Sequence, residues 1–290
     1  MARSGWVAKA DLVPLGIGLA VGLGLYEALH WKGFLLLFPW IGFSLSLGMA
    51  VRRHDRPGQL SLGRRLALLL ILPALLLAVP LGNRENFQLE GVVLLILAGY
   101  FGKGVIHLAV AKVFGPFIWG RGFCGWACWF AAVLDWLPLD PSRRKPIPPG
   151  WKRLRYAALA LSLALPLVLV LGYGFDVRGQ FLGRMEPAWM FVSCAVYYAL
   201  AAPLALAFAD RRAFCKTLCP LPPLMHFQTM CARLGRRPTG EPCTGCGACD
   251  RACPMDVAPQ SFIAAGQRVR SGECINCGEC VRACPVGAIR

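Results

Sequence analysis

Charged side chains are scarce in this chain of 290 residues, and acidic ones are the scarcest. Charged residues make up 16% of the chain, against about 25% in an ordinary soluble domain. Hydrophobic residues make up 57%, against roughly 45–50%. This composition argues against an average cytosolic enzyme and excludes collagen-like, disordered and small disulfide-rich proteins. The mean hydropathy of +0.54 indicates that much of the apolar surface faces lipid.

The shortage of acidic residues leaves a formal net charge of +16. A charge of this size is also found in proteins that bind nucleic acid. Here, however, the Lys and Arg residues lie in short clusters between long apolar runs, which is how membrane topology is usually encoded. We therefore interpret the charge as a signal of orientation and predict no nucleic-acid partner.

Six segments before residue 210 have the length and apolar character of membrane spans, which need about 20 mostly apolar residues. They are approximately 12–30, 33–51, 66–82, 91–111, 154–175 and 188–209. With the N-terminus inside, eighteen Lys and Arg residues flank the spans on the inner side and four on the outer side. Because positive residues are retained in the cytoplasm, the count predicts a multi-pass membrane protein with both termini cytoplasmic.

The chain changes character after Pro220. A connector, 221–230, follows the membrane domain, 1–220, and leads to residues 231–290, here called the tail, which hold nine of the fourteen cysteines. A domain of about 60 residues is usually marginal without a metal or disulfide. The predicted fold is mainly α, with a six-helix membrane domain followed by a small α+β ferredoxin domain.

Eight tail cysteines form two runs of identical spacing, each C-x2-C-x2-C-x3-C-P. In the bacterial ferredoxin pattern, three closely spaced thiolates bind one 4Fe-4S cluster and the fourth cysteine binds the other cluster. The first predicted ligand set is Cys243, Cys246, Cys249 and Cys284. The second is Cys274, Cys277, Cys280 and Cys253.

Zinc and disulfides are the alternatives to iron-sulfur clusters in the tail. Zinc also binds C-x2-C pairs, but it needs only two pairs per site and does not account for two complete copies of the pattern with the proline in place. A disulfide framework is disfavoured because a tail in the cytoplasm lies in a reducing compartment.

Four further cysteines occur in a second repeated motif. The motif R-x-F-C-x3-C places Cys124 and Cys128 after the fourth predicted span, and Cys215 and Cys219 after the sixth. Both pairs are predicted at the cytoplasmic boundary, so the four thiols are candidates for a third centre. Packed or reversibly oxidised thiols are the alternative, and a cluster, another metal or a dithiol all stay open. The remaining Cys194 and Cys231 are interpreted as structural.

Lys103 and His107 are ionisable residues within the fourth predicted span. They lie four residues apart, on one helix face, and the count along the span predicts the cytoplasmic half of the membrane. They are candidate contacts for a quinone headgroup, with His107 as a proton acceptor. Snorkelling of Lys103 and simple packing of His107 are the alternatives. The chain has no C-x-x-C-H motif for a c-type haem.

The two cysteine motifs together resemble the membrane-anchored polyferredoxins of the NapH and MauN type, which serve periplasmic nitrate reduction and methylamine use. The likeness covers most of the chain from about residue 90, although Trp129 follows Cys128 where that family usually has proline. It implies a protein of the bacterial inner membrane that moves electrons between the quinone pool and another redox protein, in the manner of a quinol dehydrogenase component. Two other functions stay open: a copper reductase or assembly factor, because soft thiolates suit cuprous ion, and a redox-sensing membrane regulator.

Overall fold

The computed structural model describes residues 7–55 and 60–290. This part of the chain is mainly helical and almost without strands, which confirms the predicted fold class. Its helices are α1 Lys9–Leu29, α2 Phe34–His54, α3 Leu62–Asn83, α4 Leu89–Leu97, α5 Lys103–Trp119, α6 Gly122–Leu134, α7 Pro149–Gly172, α8 Val177–Phe208, α9 Ala213–Thr217, α10 Leu221–Cys231, α11 Ala248–Arg251, α12 Pro259–Ala264 and α13 Glu279–Ala283.

Five helices within the described residues are long and apolar enough to cross a membrane: α1, α2, α3, α7 and α8. Helices α5 and α6 together pass the same test but meet at an angle of 100°. The protein is therefore a multi-pass membrane protein with five or six spans. Two residues of the charge count, Arg3 and Arg56, lie outside the described residues.

The fourth predicted span, 91–111, is not one continuous helix, so that prediction is wrong. Helix α4 ends at Leu97, and α5 begins at Lys103. Between them the chain turns at Gly99, which has a φ of +69°, a conformation that suits glycine far better than other residues. Glycine and aromatic residues in this turn keep the sequence apolar, so hydropathy alone does not reveal the break.

Helices α1 and α2 pack closely because glycines remove side chains from their contact. A Cβ atom on Gly18 would overlap the carbonyl of Phe38, and one on Gly42 would overlap the carbonyl of Pro14. Small residues that let two backbones approach are typical of helix contacts in lipid. Lipid tails are as apolar as the side chains, so close van der Waals packing, and not the hydrophobic effect, holds the helices together there.

The tail consists of short helices and irregular loops. Its expected sheet is reduced to one antiparallel bridge within the described residues, between Pro238 and Ile289. The tail packs against the ends of several membrane helices: Arg52 of α2 donates to the carbonyls of Cys277 and Gly278 at 2.8 and 2.7 Å. Six of the basic residues predicted on the inner side contact the tail: Arg52, Arg64, Arg121, Arg144, Arg155 and Lys216.

Candidate metal centres

Four cysteines of the first predicted set lie together. Cys243, Cys246, Cys249 and Cys284 line one pocket, with Cys284 contributed by the second motif. The chain curls around this pocket through Gly245 and Gly247, whose φ angles are +71° and +69°. Cys246 is exposed, and the backbone N–H of Ala248 lowers the pKa of its thiol.

The second set lies together in the same way but deeper. Cys253, Cys274, Cys277 and Cys280 line a second pocket, with Cys253 contributed by the first motif. The backbone N–H of Val257 donates to the Cys253 sulfur at 3.4 Å. Burial raises the pKa of the Cys253 thiol to about 11, so deprotonation at this site has to be coupled to binding of a cation.

The remaining two cysteine pairs meet at the boundary between the membrane helices and the tail. Cys124, Cys128, Cys215 and Cys219 line a third pocket, here called the four-cysteine pocket. The two pairs come from the two copies of the repeated motif. The structure thus brings together all the cysteines named from the sequence as candidate ligands, in three groups of four.

The two copies of the motif have the same local geometry. A five-residue helical segment carries the first cysteine of each pair and ends before the second cysteine: Gly122–Trp126, the first part of α6, ends before Cys128, and α9 ends before Cys219. Helical structure then resumes, at Trp129 within α6 in one copy and as α10, directly after Pro220, in the other. Both residues that follow the second cysteine therefore lie at a helix start, the place in a helix that accepts proline.

Buried cations surround the four-cysteine pocket. Lys112, Arg121 and Arg212 line it, and each is at most 2% exposed. The Lys112 ammonium lies 3.0 Å from the centroid of the Phe123 ring and has no hydrogen-bond partner among the described residues. The Nε atoms of both arginines also lack partners there. Arg121 and Arg212 each pair with a carboxylate, so Lys112 is the cation that lacks compensation among the described residues. A buried cation is costly unless compensated, so the pocket fits an anionic group, such as a metal held by four thiolates, better than four neutral thiols.

The three pockets are contiguous. Ile275 lines both the four-cysteine pocket and the second tail pocket. Cys124 and Cys215 of the former share one buried cluster with Cys253 and Cys277 of the latter. A Cβ atom on Gly125 would overlap the carbonyl of Ile275, so glycine is required for this approach. The second tail pocket adjoins the first through a further cluster that contains Cys280 and Cys284.

Ion pairs fix the tail beside the four-cysteine pocket. Arg121 and Arg155 bind the Glu273 carboxylate at 2.9 and 2.6 Å. Although burial raises the pKa of Glu273, these two guanidinium groups outweigh it and lower the pKa. Lys216 binds Asp256 of the tail at 2.7 Å.

A second, fully buried network lies between α3, α6 and the tail. Asp135 accepts from Arg64 at 2.8 Å and from Arg212 at 2.7 Å. Arg64 also reaches Glu279 of the tail at 3.2 Å, and Arg212 donates to the carbonyl of Cys124 at 3.1 Å. Burial raises the pKa of Asp135, but Arg212 and Arg64 outweigh it and lower the pKa. The network therefore carries its charges in a water-poor environment.

Lys103 and His107 do not lie on the straight helix that the sequence count assumed. Lys103 begins α5 and binds Glu85 at 2.9 Å, in a region that contacts the start of α8, the end remote from the tail. His107 stacks on Phe87 at 4.7 Å and meets Phe123, a wall of the four-cysteine pocket, edge-on at 5.4 Å. The count assumed one straight helix, but α5 begins six residues after α4 ends, so the depth of Lys103 and His107 in the membrane stays a prediction.

Some residues with a clear place in the structure were not singled out from the sequence. Lys112 was counted only as a basic residue for topology, yet it is buried in the four-cysteine pocket. Glu90 directly precedes the fourth predicted span and reads as a flanking charge, yet it is buried among α7 and α8. In the sequence, both residues are charges at the edge of an apolar run. Charges that flank a membrane span in water have the same pattern, so the sequence does not distinguish the two cases.

Comparison with protein families finds two matches. The 4Fe-4S dicluster domain family matches residues 237–285, which contain the eight tail cysteines. The 4Fe-4S binding domain family matches residues 101–148 and 194–237, which contain the four cysteines of the repeated motif. The chain is a membrane iron-sulfur protein of the electron-transfer class. Comparisons with curated proteins and with solved structures found no match, so the resemblance to NapH and MauN stays a prediction.

Proposed function

We propose that the protein carries electrons between the quinone pool of the bacterial inner membrane and a redox partner, through three metal centres. The observation that carries the proposal is the contiguity of the three four-cysteine sets, from the membrane helices to the surface of the tail. Bound 4Fe-4S clusters supply one-electron redox chemistry. The exposed Cys246 marks the end at which a partner protein approaches.

The proposed orientation has both termini in the cytoplasm. The contact of six basic residues with the tail supports this, because they belong to the set that the positive-inside rule assigns to one side. A cysteine-reactive reagent that does not cross the membrane tests the orientation. Cys231, exposed at the end of α10, is expected to be protected in intact cells and labelled in inverted vesicles.

The third centre is tested by anaerobic iron and sulfide quantification with EPR. Two clusters require about eight irons and three require about twelve. The double variant Cys124→Ser, Cys215→Ser is expected to lose about four irons and one EPR signal while the tail clusters remain. The exposed Cys231→Ser is the matched control and keeps the full iron content. About eight irons in the native protein would refute the third centre.

Lys103 and His107 are the proposed contacts of the quinone headgroup. The proposal is supported by the Nε2 atom of His107, which is buried without a hydrogen-bond partner among the described residues, and by the Lys103 side chain, which is 31% exposed. Replacement His107→Gln is expected to slow reduction of the clusters by a quinol analogue but not by dithionite. His30→Gln, at the exposed end of α1, is the control. Equal quinol rates in all three proteins would contradict the assignment.

A further inference from the structure

Glu90 is a buried glutamate in the interior of the membrane domain. Its side chain is bonded to Tyr197, which lies midway along the regular part of α8, Glu186–Phe208, and to Ser162 of α7. Glu90 is 7% exposed, and no salt bridge reaches it from residues 7–55 or 60–290. An uncompensated carboxylate at this depth is costly, and such groups in membrane proteins are usually functional.

The hydrogen bonds of Glu90 favour neither protonation state completely. Oε1 accepts from the Tyr197 hydroxyl and from Ser162 at 2.6 Å, which stabilises the anion. Oε2 is buried and has no partner among the described residues. A proton on Oε2 would find no acceptor, while its loss leaves a charge with only two hydroxyl donors.

Tyr197 links this carboxyl group to the four-cysteine pocket. Its ring lies 5.5 Å from that of Phe130 and 5.6 Å from that of Phe214, and both phenylalanines line the pocket. One layer of aromatic side chains therefore separates the Tyr197–Glu90 pair from the pocket. In this water-poor interior, a change of charge in the pocket is only weakly screened at the carboxyl group.

We infer that Glu90 is a redox-linked proton site: when the four-cysteine centre gains one electron, the Glu90 carboxylate takes up one proton. The electron comes from the quinol of the proposed function, on which this inference rests, and the proton comes from water and forms the O–H bond of the carboxyl group. Loss of the electron reverses both steps. The other titratable groups facing Glu90 are Tyr197 and Cys194 from α8, while α7 presents the hydroxyl of Ser162.

A buried polar segment leads from Glu90 toward the end of the molecule remote from the tail. Gln88 donates to the sulfur of Cys194 at 2.9 Å, and Asn86 donates to the backbone carbonyl of Glu186 at 3.1 Å. Glu85 completes the segment through its pair with Lys103, which is partly exposed. In this proposal, these groups form the polar side of the interior from which the carboxyl group exchanges its proton with water.

EPR-monitored redox titration of the intact protein at several pH values tests the inference. The midpoint potential of the four-cysteine centre is expected to fall with rising pH, by up to about 59 mV per pH unit for one proton and one electron. Glu90→Gln is expected to remove this slope. Glu27→Gln, an exposed site on α1, is the control and keeps it. Tyr197→Phe removes one donor to the anion, so the sloping region is expected to move to higher pH; this variant serves if Glu90→Gln does not assemble.

Two results would overturn the inference: a midpoint independent of pH in the native protein, or a slope that persists in Glu90→Gln with full iron content. An iron content of about eight, with no third EPR signal, refutes the third centre itself and removes the inference with it. The iron count therefore separates failure of the proposed function from failure of the proton site.

Discussion

Replacing Asp135 by Asn removes the anion that lies between two buried guanidinium groups while keeping the shape of the side chain. Within the described residues, Asp135 is 2% exposed and pairs with Arg64 and Arg212, which are 0% and 1% exposed. The remaining partners of the two arginines are unequal. Arg64 keeps the Glu279 carboxylate at 3.2 Å, whereas the guanidinium of Arg212 keeps the carbonyl of Cys124 at 3.1 Å.

The expected loss of stability follows from this inequality. Breaking a buried ion pair by removing one partner typically costs about 3–5 kcal/mol, because the other charge stays buried without compensation. Arg64 retains a carboxylate partner, so Arg212 is the charge left without compensation. We therefore expect the free energy of unfolding to fall by about 3 kcal/mol, the lower end of this range. For a chain of this size the change corresponds to a midpoint of thermal unfolding roughly 5 °C lower.

Thermal unfolding of the iron-loaded protein in detergent measures this effect. Asp140→Asn is the matched control, because Asp140 pairs with Arg143 at 3.7 Å and the two side chains are 52% and 83% exposed. An exposed pair of this kind contributes little to stability, because solvent screens it. Equal unfolding midpoints for the two variants would refute the view that Asp135 stabilises the joint between the membrane helices and the tail.

Three further predictions follow from the same contacts. Lys112→Met removes a buried cation beside the four-cysteine pocket, so the midpoint potential of the centre proposed there should fall. For a unit charge at about 8 Å and an effective dielectric constant of about 20, the interaction energy is about 2 kcal/mol, which corresponds to a fall of about 90 mV. Redox titration with EPR measures this fall, and an unchanged potential would contradict the role given to Lys112. Removal of iron by a chelator under reducing conditions should expose the tail to limited proteolysis, because a domain this small depends on its metal, while the membrane helices resist cleavage. Arg52→Ala loses hydrogen bonds of 2.8 and 2.7 Å to the carbonyls of Cys277 and Gly278, so a protease should release the tail faster. Arg53→Ala is the control: the partner of Arg53 is Asp11, outside the tail, so the rate of release should not change.

The parts of the fold that depend on local composition were predictable. Apolar runs of sufficient length predicted the multi-pass helical domain, and repeated cysteine spacing predicted the iron-sulfur tail. The break between α4 and α5 was not predictable, because Gly99 and Gly102 interrupt a run whose hydropathy stays high. Its consequence, the position of Lys103 remote from the tail, could not be derived from a count along a straight helix.

The environment of the candidate centres depends on contacts between distant parts of the chain. Repetition of R-x-F-C-x3-C indicated that the four cysteines act together, but not that Ile275 of the tail would form one wall of their pocket. Similarly, nothing local distinguishes the buried Lys112 and Glu90 from charges that flank a span in water. Their burial is set by α7, α8 and the tail, which the sequence near each residue does not describe.

The wall contributed by Ile275 bears on how the protein matures. The tail covers the four-cysteine pocket, and Gly125 leaves no free space against its backbone. If the four-cysteine pocket holds the proposed third centre, an iron-sulfur carrier reaches Cys124, Cys128, Cys215 and Cys219 only while the tail is undocked. Because Cys284 follows every other cysteine of the three sets, the first tail set is the last to be complete as the chain is made, and the inner pocket can be loaded before it.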